Sequence, residues 1–268
     1  MFSALRHDWR VYRLAAGMGL RAQLHHRRAF AFGIIAQGLI AVTDFIAIVI
    51  LIMRFGAIGG WSLPQLGLLY GLVASSLSLA LLLGSGIGDL DGLVRNGEFD
   101  RIRTRPCGSL WLVAGSRFEV RRLGRVAQGL VVLAWALWRI GSVDAAAVME
   151  VAAALLGGGA LFLGLQVIQA SAGFWFQDGL EVFNVFSYGG ETLGAYPLPI
   201  FQRWLQHLLL GVIPIAAISY LPALVLTHRC GHGWPTILAA SAPLLGVAFF
   251  GVSLVAWRCG LRRFGATG

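Results

Sequence analysis

Lysine is absent from this chain of 268 residues, and all 21 of its basic side chains are arginine. A phosphate-binding P-loop needs a lysine at the end of its glycine-rich turn, so ATP hydrolysis by that route is excluded within the chain. Charge of either sign is scarce: 12% of residues, against 57% hydrophobic and a mean hydropathy of +0.76. A soluble domain of that composition would expose more apolar surface than water tolerates, which points to a bilayer. There are three cysteines, Cys107, Cys230 and Cys259, and the patterns GxSxG, HExxH and CxxC do not occur. Serine-hydrolase, zinc-protease and dithiol chemistry therefore have no footing in the sequence.

What is present is apolar and continuous. Runs long enough to cross about 30 Å of hydrocarbon, some 20 helical residues each, lie at about 30–53, 63–88, 119–140, 145–174, 201–226 and 235–257. They do not alternate, and only helices or closed barrels satisfy a backbone in lipid, so the expected fold is all-α and polytopic with six spans. Pro197 and Pro199 are expected to set the start of the fifth span, and Pro214 to kink it.

The arginines orient these spans. Six precede the first (Arg6, Arg10, Arg13, Arg21, Arg27, Arg28), eight lie between the second and the opening of the third (Arg95 to Arg125), Arg203 enters the fifth, and Arg258, Arg262 and Arg263 follow the sixth. Only Arg54, Arg139 and Arg229 fall on the other side. By the positive-inside rule both termini are cytoplasmic. Membrane boundaries and anionic headgroups account for the net charge of +9 without a nucleic-acid partner. The first apolar run is too long and too far from the start to be a cleaved signal, and reads as a retained anchor. Cys107 and Cys259 fall on the cytoplasmic side, where disulfides are rare, and Cys230 outside, so unpaired structural thiols are expected.

Residues 5–28 carry Trp9, Tyr12, Leu14, Met18, Leu20 and Leu24 among arginines and histidines, a composition suited to an amphipathic helix in the membrane interface. Gly17 and Gly19 weaken that helix, and a frayed basic tail is the competing reading. After the second span, Gly84 and Gly88 permit close helix approach. Then comes a charged stretch, Arg95 to Pro106, in which Glu98 and Asp100 alternate with Arg101, Arg103 and Arg105. A short surface helix capped by Asn96 and stopped by Pro106 is expected there. It reads either as a solvated linker or as a docking surface. Arg117, Arg121, Arg122 and Arg125, with Glu119, lead into the third span, where the arginines are expected to snorkel to headgroups.

Charged groups at membrane depth cost about 2.5–3.5 kcal/mol on insertion scales, so each requires a reason. Asp44 stands well inside the first span. It reads equally as a polar contact in a substrate path, as the partner of an arginine, or as an interhelical contact that fixes packing. Glu150 in the fourth span is expected to pair with Arg139 or Arg54. Ser75, Ser76, Ser78 and Ser85, with Gln166, Gln169 and Ser171, form polar sides of the second and fourth spans, read as bundle packing or as a wet path. His228, Cys230 and His232 have near-ligand spacing but no evident fourth ligand, and the incidental reading is preferred over a metal site. His25 and His26 belong to the basic flank. The segment from Gln177 to Glu181 opens a second long cytoplasmic connection.

The segment Gly97-Glu-Phe-Asp-Arg-Ile-Arg-Thr-Arg-Pro106 resembles the stretch that follows the second span in ABC-2-type transporter permeases, in a six-span bacterial subgroup. Tyr196-Pro-Leu-Pro-Ile-Phe201 with Trp204, Val212-Ile-Pro214 and Ser219-Tyr-Leu-Pro222 resembles that subgroup's fifth-span signature. Arg103 and Thr104 depart from it, standing where relatives tend to be more apolar.

The resemblance implies a permease subunit of an ATP-driven exporter in the bacterial inner membrane. It divides the chain into an N-terminal interface helix, 1–29, and a transmembrane domain, 30–268, with a cytoplasmic coupling segment at 89–118. Two soluble ATPase subunits, which hold ATP and Mg2+, would dock beneath a pair of permeases, identical or homologous. Glu98, Asp100, Arg101, Arg103 and Arg105, with Trp9, Arg10 and Arg13, are the expected coupling residues; Asp44, Ser75, Ser78, Gln166 and Gln169 are candidates for pathway or packing. No catalytic residue, cofactor or metal is expected on this chain, and amphiphilic or hydrophobic cargo suits its composition. An ion-driven secondary transporter, or an integral-membrane enzyme, is the alternative.

Overall fold

A computed structural model describes residues 2–25, 27–174, 185–230 and 234–267. Gln177–Glu181, His26 and His232 lie outside them. The described chain is helical throughout, with one isolated bridge between Ile58 and Trp61. Five helices are long and apolar enough to cross a membrane: Arg28–Phe55, Leu63–Leu83, Val120–Ile140, Ala145–Ala172 and Thr236–Arg263; a bent pair, Arg203–Val212 with Ile215–Leu226, makes a sixth if counted as one span.

In chain order come the long helices α1 (Phe2–Leu24), α2 (Arg27–Phe55) and α3 (Leu63–Leu83), then the short α4 (Leu90–Arg95), α5 (Glu98–Arg103) and α6 (Ser109–Ser116). The long α7 (Leu123–Ile140) and α8 (Ala145–Ala172) follow, and a C-terminal helix covers Leu244–Thr267. At the centre is α3, buried along most of its length against α7 and α8, with the C-terminal helix running along α8. By contrast α2 presents Phe32, Ile35, Leu39, Ile46 and Ile50 outward, as a lipid-facing or subunit-facing helix does.

Small residues decide where these helices touch. A Cβ on Gly124 would collide with the Ile34 backbone and approach Gly38, so α2 and α7 cross with backbones in contact. Of the glycines after α3, Gly84 and Gly86 face close neighbours and Gly88 does not. Asp144 caps α8, its Oδ1 accepting from the Ala147 N–H at 3.1 Å.

Three sequence expectations are corrected. Pro214 does not merely kink the fifth span: the two halves meet at 69°. Proline removes an N–H and pushes the preceding residue toward extended backbone, and Ile213 adopts φ −123° and ψ 92°. Pro197 and Pro199 do not open that span; they shape a separate turn, Leu198–Ile200, and the helix begins at Arg203. The second span ends at Leu83, short of 88.

Opposite the arginine-rich end, Arg229 closes the bundle. Its Nη2 donates to the Gly60 carbonyl at 2.8 Å and to Gln65 Oε1 at 3.0 Å, and its guanidinium lies 4.9 Å from the Trp61 ring centroid.

Candidate functional site

Between α3 and α7 the chain folds into a layer made of the short helices α4, α5 and α6. Gly97 separates the first two with φ +70°, a conformation that favours glycine. Asn96 does not cap α5; it ends α4, and α5 starts without a side-chain cap.

What holds α5 in place is Phe99. Its ring is fully buried, 5.5 Å from Phe174 and 6.3 Å from Trp257 between ring centroids, so one turn of a charged helix is pinned under the bundle by its single aromatic. Ile102 packs half-buried beside it, and the charged residues of α5 face out, with Glu98, Asp100, Arg101 and Arg103 exposed and Arg105 beyond them. Ion pairs sort the neighbouring acids. Asp91 pairs with Arg95, Asp89 with Arg117, and Glu119 with Arg121 and Arg122. Among the described residues Glu98 and Asp100 have no such pair, which leaves two carboxylates presented to solvent.

Helix α1 lies against α6. Tyr12 Oη donates to the Leu83 carbonyl at 2.8 Å, and burial holds that phenol above its usual pKa, so it remains a protonated donor. Trp9 stacks on Tyr12 at 5.4 Å and meets Trp111 edge-on at 6.4 Å. Asp8 Oδ1 accepts from the Gly108 N–H at 3.0 Å, joining α1 to the turn before α6. Arg10 and Arg13 are exposed. Between α1, α5 and α6 runs a groove of about 490 Å3 whose walls include Met18, Gly19, Glu98, Arg101, Ile102 and Arg105. Of the expected coupling residues, Glu98, Arg101 and Arg105 line this groove, whereas Trp9, Arg10 and Arg13 do not; α1 borders it through Ala15, Met18 and Gly19.

A second polar site was not legible as such. Arg125, expected to snorkel, instead turns into the bundle: its Nη2 lies 2.8 and 3.0 Å from the two Glu191 oxygens and 3.2 Å from Asp44 Oδ2. Beside it Tyr70 Oη lies 2.9 Å from the Ala41 carbonyl oxygen and 3.1 Å from Gln128 Oε1. Glu191 sits on a short buried helix, Gly190–Gly194, packed through its glycines on Val73 and Ile215. The connection before the fifth span therefore enters the bundle. Sequence reading missed Glu191; the only signal was an acid flanked by Gly189, Gly190 and Gly194 in an otherwise apolar stretch.

The other sequence candidates do not converge on this cluster. Ser75, Ser76 and Ser78 are buried within α3, and Ser75 and Ser76 face Gly129 and Gly158 of α7 and α8. Gln166 and Gln169 line a cleft of about 30 Å3 next to Asp91. Glu150 pairs with neither Arg139 nor Arg54; its buried Oε1 has no hydrogen-bond partner among the described residues. All three cysteines are unpaired, and no group of three or more His, Cys, Asp or Glu among the described residues is placed to hold a metal ion.

The family model described as ABC-2 family transporter protein matches residues 39–268, which take in most of the first span, all the later ones and both sites apart from α1. The chain belongs to the ABC-2 transporter family. This ABC-2 protein is accordingly a multi-pass membrane component of a transporter, and chemistry on the chain itself is not what the family membership implies. No curated protein and no solved structure matched it.

Proposed function

We propose that this chain is the permease subunit of an ATP-driven exporter, and that separate ATPase subunits dock on the groove between α1 and α5. The observation that carries the reading is the exposed acid couple Glu98 and Asp100, without an ion-pair partner among the described residues, on a helix anchored by a single buried aromatic. A load on α5 would pass through Phe99 to Phe174 and Trp257 at the ends of the fourth and sixth spans. Short rigid elements of this kind transmit small displacements because packed helices have discrete arrangements and do not deform continuously.

Two permease copies, identical or homologous, would enclose the pathway, with ATP and Mg2+ held by two partner ATPases. The arginine distribution supports a reading in which the docking end and both termini face the cytoplasm, with the chain in a bacterial inner membrane. Residues 1–29 then act as an amphipathic interface helix and 89–118 as the coupling segment. Amphiphilic or hydrophobic solutes remain the favoured cargo, on composition alone.

Co-expression with the neighbouring reading frames tests this, followed by purification in mild detergent and mass spectrometry. A soluble ATPase in stoichiometric amount, lost when Glu98→Arg and Asp100→Arg are combined, is the expected result. A chain that purifies alone and moves solute driven by an ion gradient, without ATP, would replace the reading with a secondary transporter. The ion cluster at Arg125 is the feature that favours this second reading.

A further inference from the structure

Where α1 meets the flank of the bundle there is a cleft of about 210 Å3, distinct from the charged groove. Trp9 and Tyr12 wall it on one side, Leu110 and Trp111 on a second, and Leu163 and Phe250 close it from the fourth and sixth spans. Almost no polar atom faces the space. Water needs about two to four polar partners to occupy such a volume, and the lining offers too few. Left empty, the lining would forgo dispersion contacts on one whole side. An apolar occupant therefore fits the cleft better than water or vacuum.

Its position narrows the choice. The cleft opens where α3 ends at Leu83, at the level of rings that are apolar in body and polar at the tip, the arrangement side chains adopt at a membrane–water boundary. Trp9 is 50% exposed, so the rim is not sealed by protein. The exposed charge of α1 beside the rim is basic. Arg13 follows Trp9 by four residues and shares its helix face, Arg10 is adjacent, and both are exposed. Asp8, the only acid of α1, is engaged by the Gly108 N–H.

We infer that this cleft holds one acyl chain of an anionic phospholipid, with the headgroup phosphate met by Arg10 and Arg13. The lipid would form part of the joint between α1 and the spans, so that α1 is seated on the bundle through a bilayer component as well as through Tyr12.

The test uses the full chain in proteoliposomes containing phosphatidylglycerol with a photoactivatable diazirine in its acyl chain, and needs no ATPase, so it is independent of the exporter reading. Crosslinks are expected in the Trp9–Tyr12 and Leu110–Trp111 peptides. They should be lost in Ala114→Phe, which fills the cleft from α6, while crosslinks to the outward face of α2 around Ile40 and Ile46 persist and report an intact fold. Leu163→Trp fills the same space from α8 and should act alike. Arg10→Gln with Arg13→Gln should lower the yield with phosphatidylglycerol and leave it unchanged with a phosphatidylcholine probe. Labelling of α2 with none at α1 and α6 would overturn the proposal, as would labelling there that both cleft-filling variants leave intact. Equal yields from both headgroups in the unsubstituted chain would remove the anionic assignment.

Discussion

The guanidinium of Arg125 reaches Glu191 at 2.8 Å across 66 residues of chain, and the same Nη2 serves Asp44 at 3.2 Å. One cation thereby ties the first span, the third span and the segment that enters the bundle before the fifth. The Glu191 carboxylate is 10% exposed and Arg125 21%, whereas Asp44 is 47% exposed, so the Glu191 pair is the desolvated one.

Removing one partner of such a pair leaves the other buried and uncompensated. Arg125→Ala should destabilise the protein by roughly 3–5 kcal/mol, and adding Glu191→Gln should recover most of the loss. Asp44→Asn alone should have a much smaller effect, because the bundle encloses that carboxylate far less than it does Glu191. Apparent Tm in detergent for the three variants and the double variant measures this; equal losses for Asp44→Asn and Arg125→Ala would contradict it.

Phe99 is the only fully buried side chain of α5. Phe99→Ala should release the segment at about 3–5 kcal/mol, by analogy with truncation of core aromatics. Backbone amides of residues 98–103 should then exchange faster with deuterium while those of α3 keep their protection. Glu98→Gln, which touches no packing contact, should leave exchange unchanged.

Two glycines should respond oppositely to alanine. Gly17 has open space within 4 Å of the point where a methyl group would stand, so Gly17→Ala should stabilise α1 by about 0.5–1 kcal/mol through helix propensity. At Gly124 a methyl would strike the Ile34 backbone, and Gly124→Ala should cost about 1–3 kcal/mol by forcing α2 from α7. Thermal stability of the purified variants distinguishes the two signs.

The natural cysteines report sidedness. A membrane-impermeant maleimide applied to intact cells should label Cys230, and applied to inverted vesicles should label Cys259, the most exposed of the three, and more slowly Cys107. Labelling of Cys259 from outside intact cells would reverse the orientation drawn from the arginines.

That the chain is a multi-span helical protein, and roughly where its five long apolar helices lie, was legible because a bilayer imposes a local rule: about 20 apolar residues in succession satisfy it whatever the neighbours do. The arginines likewise mark one end of the bundle without reference to contacts. Composition and the missing lysine settle that this is a membrane protein without a P-loop, and the residues around Glu98 resemble the family to which the chain belongs.

What the tertiary structure alone decided are relations between distant residues. Arg125 sits near the opening of a span, where headgroup and bundle interior are both within reach of its side chain; only the arrival of Glu191 and Asp44 settles which it takes. Pro214 marks a disturbance in any helix, yet whether it bends or breaks depends on the neighbours available to the freed backbone groups, and here the halves part at 69°. Phe99 looks like one apolar residue in a charged run until Phe174 and Trp257 close around it. In each case the local chain permits two outcomes of similar energy, and desolvation by remote side chains selects one.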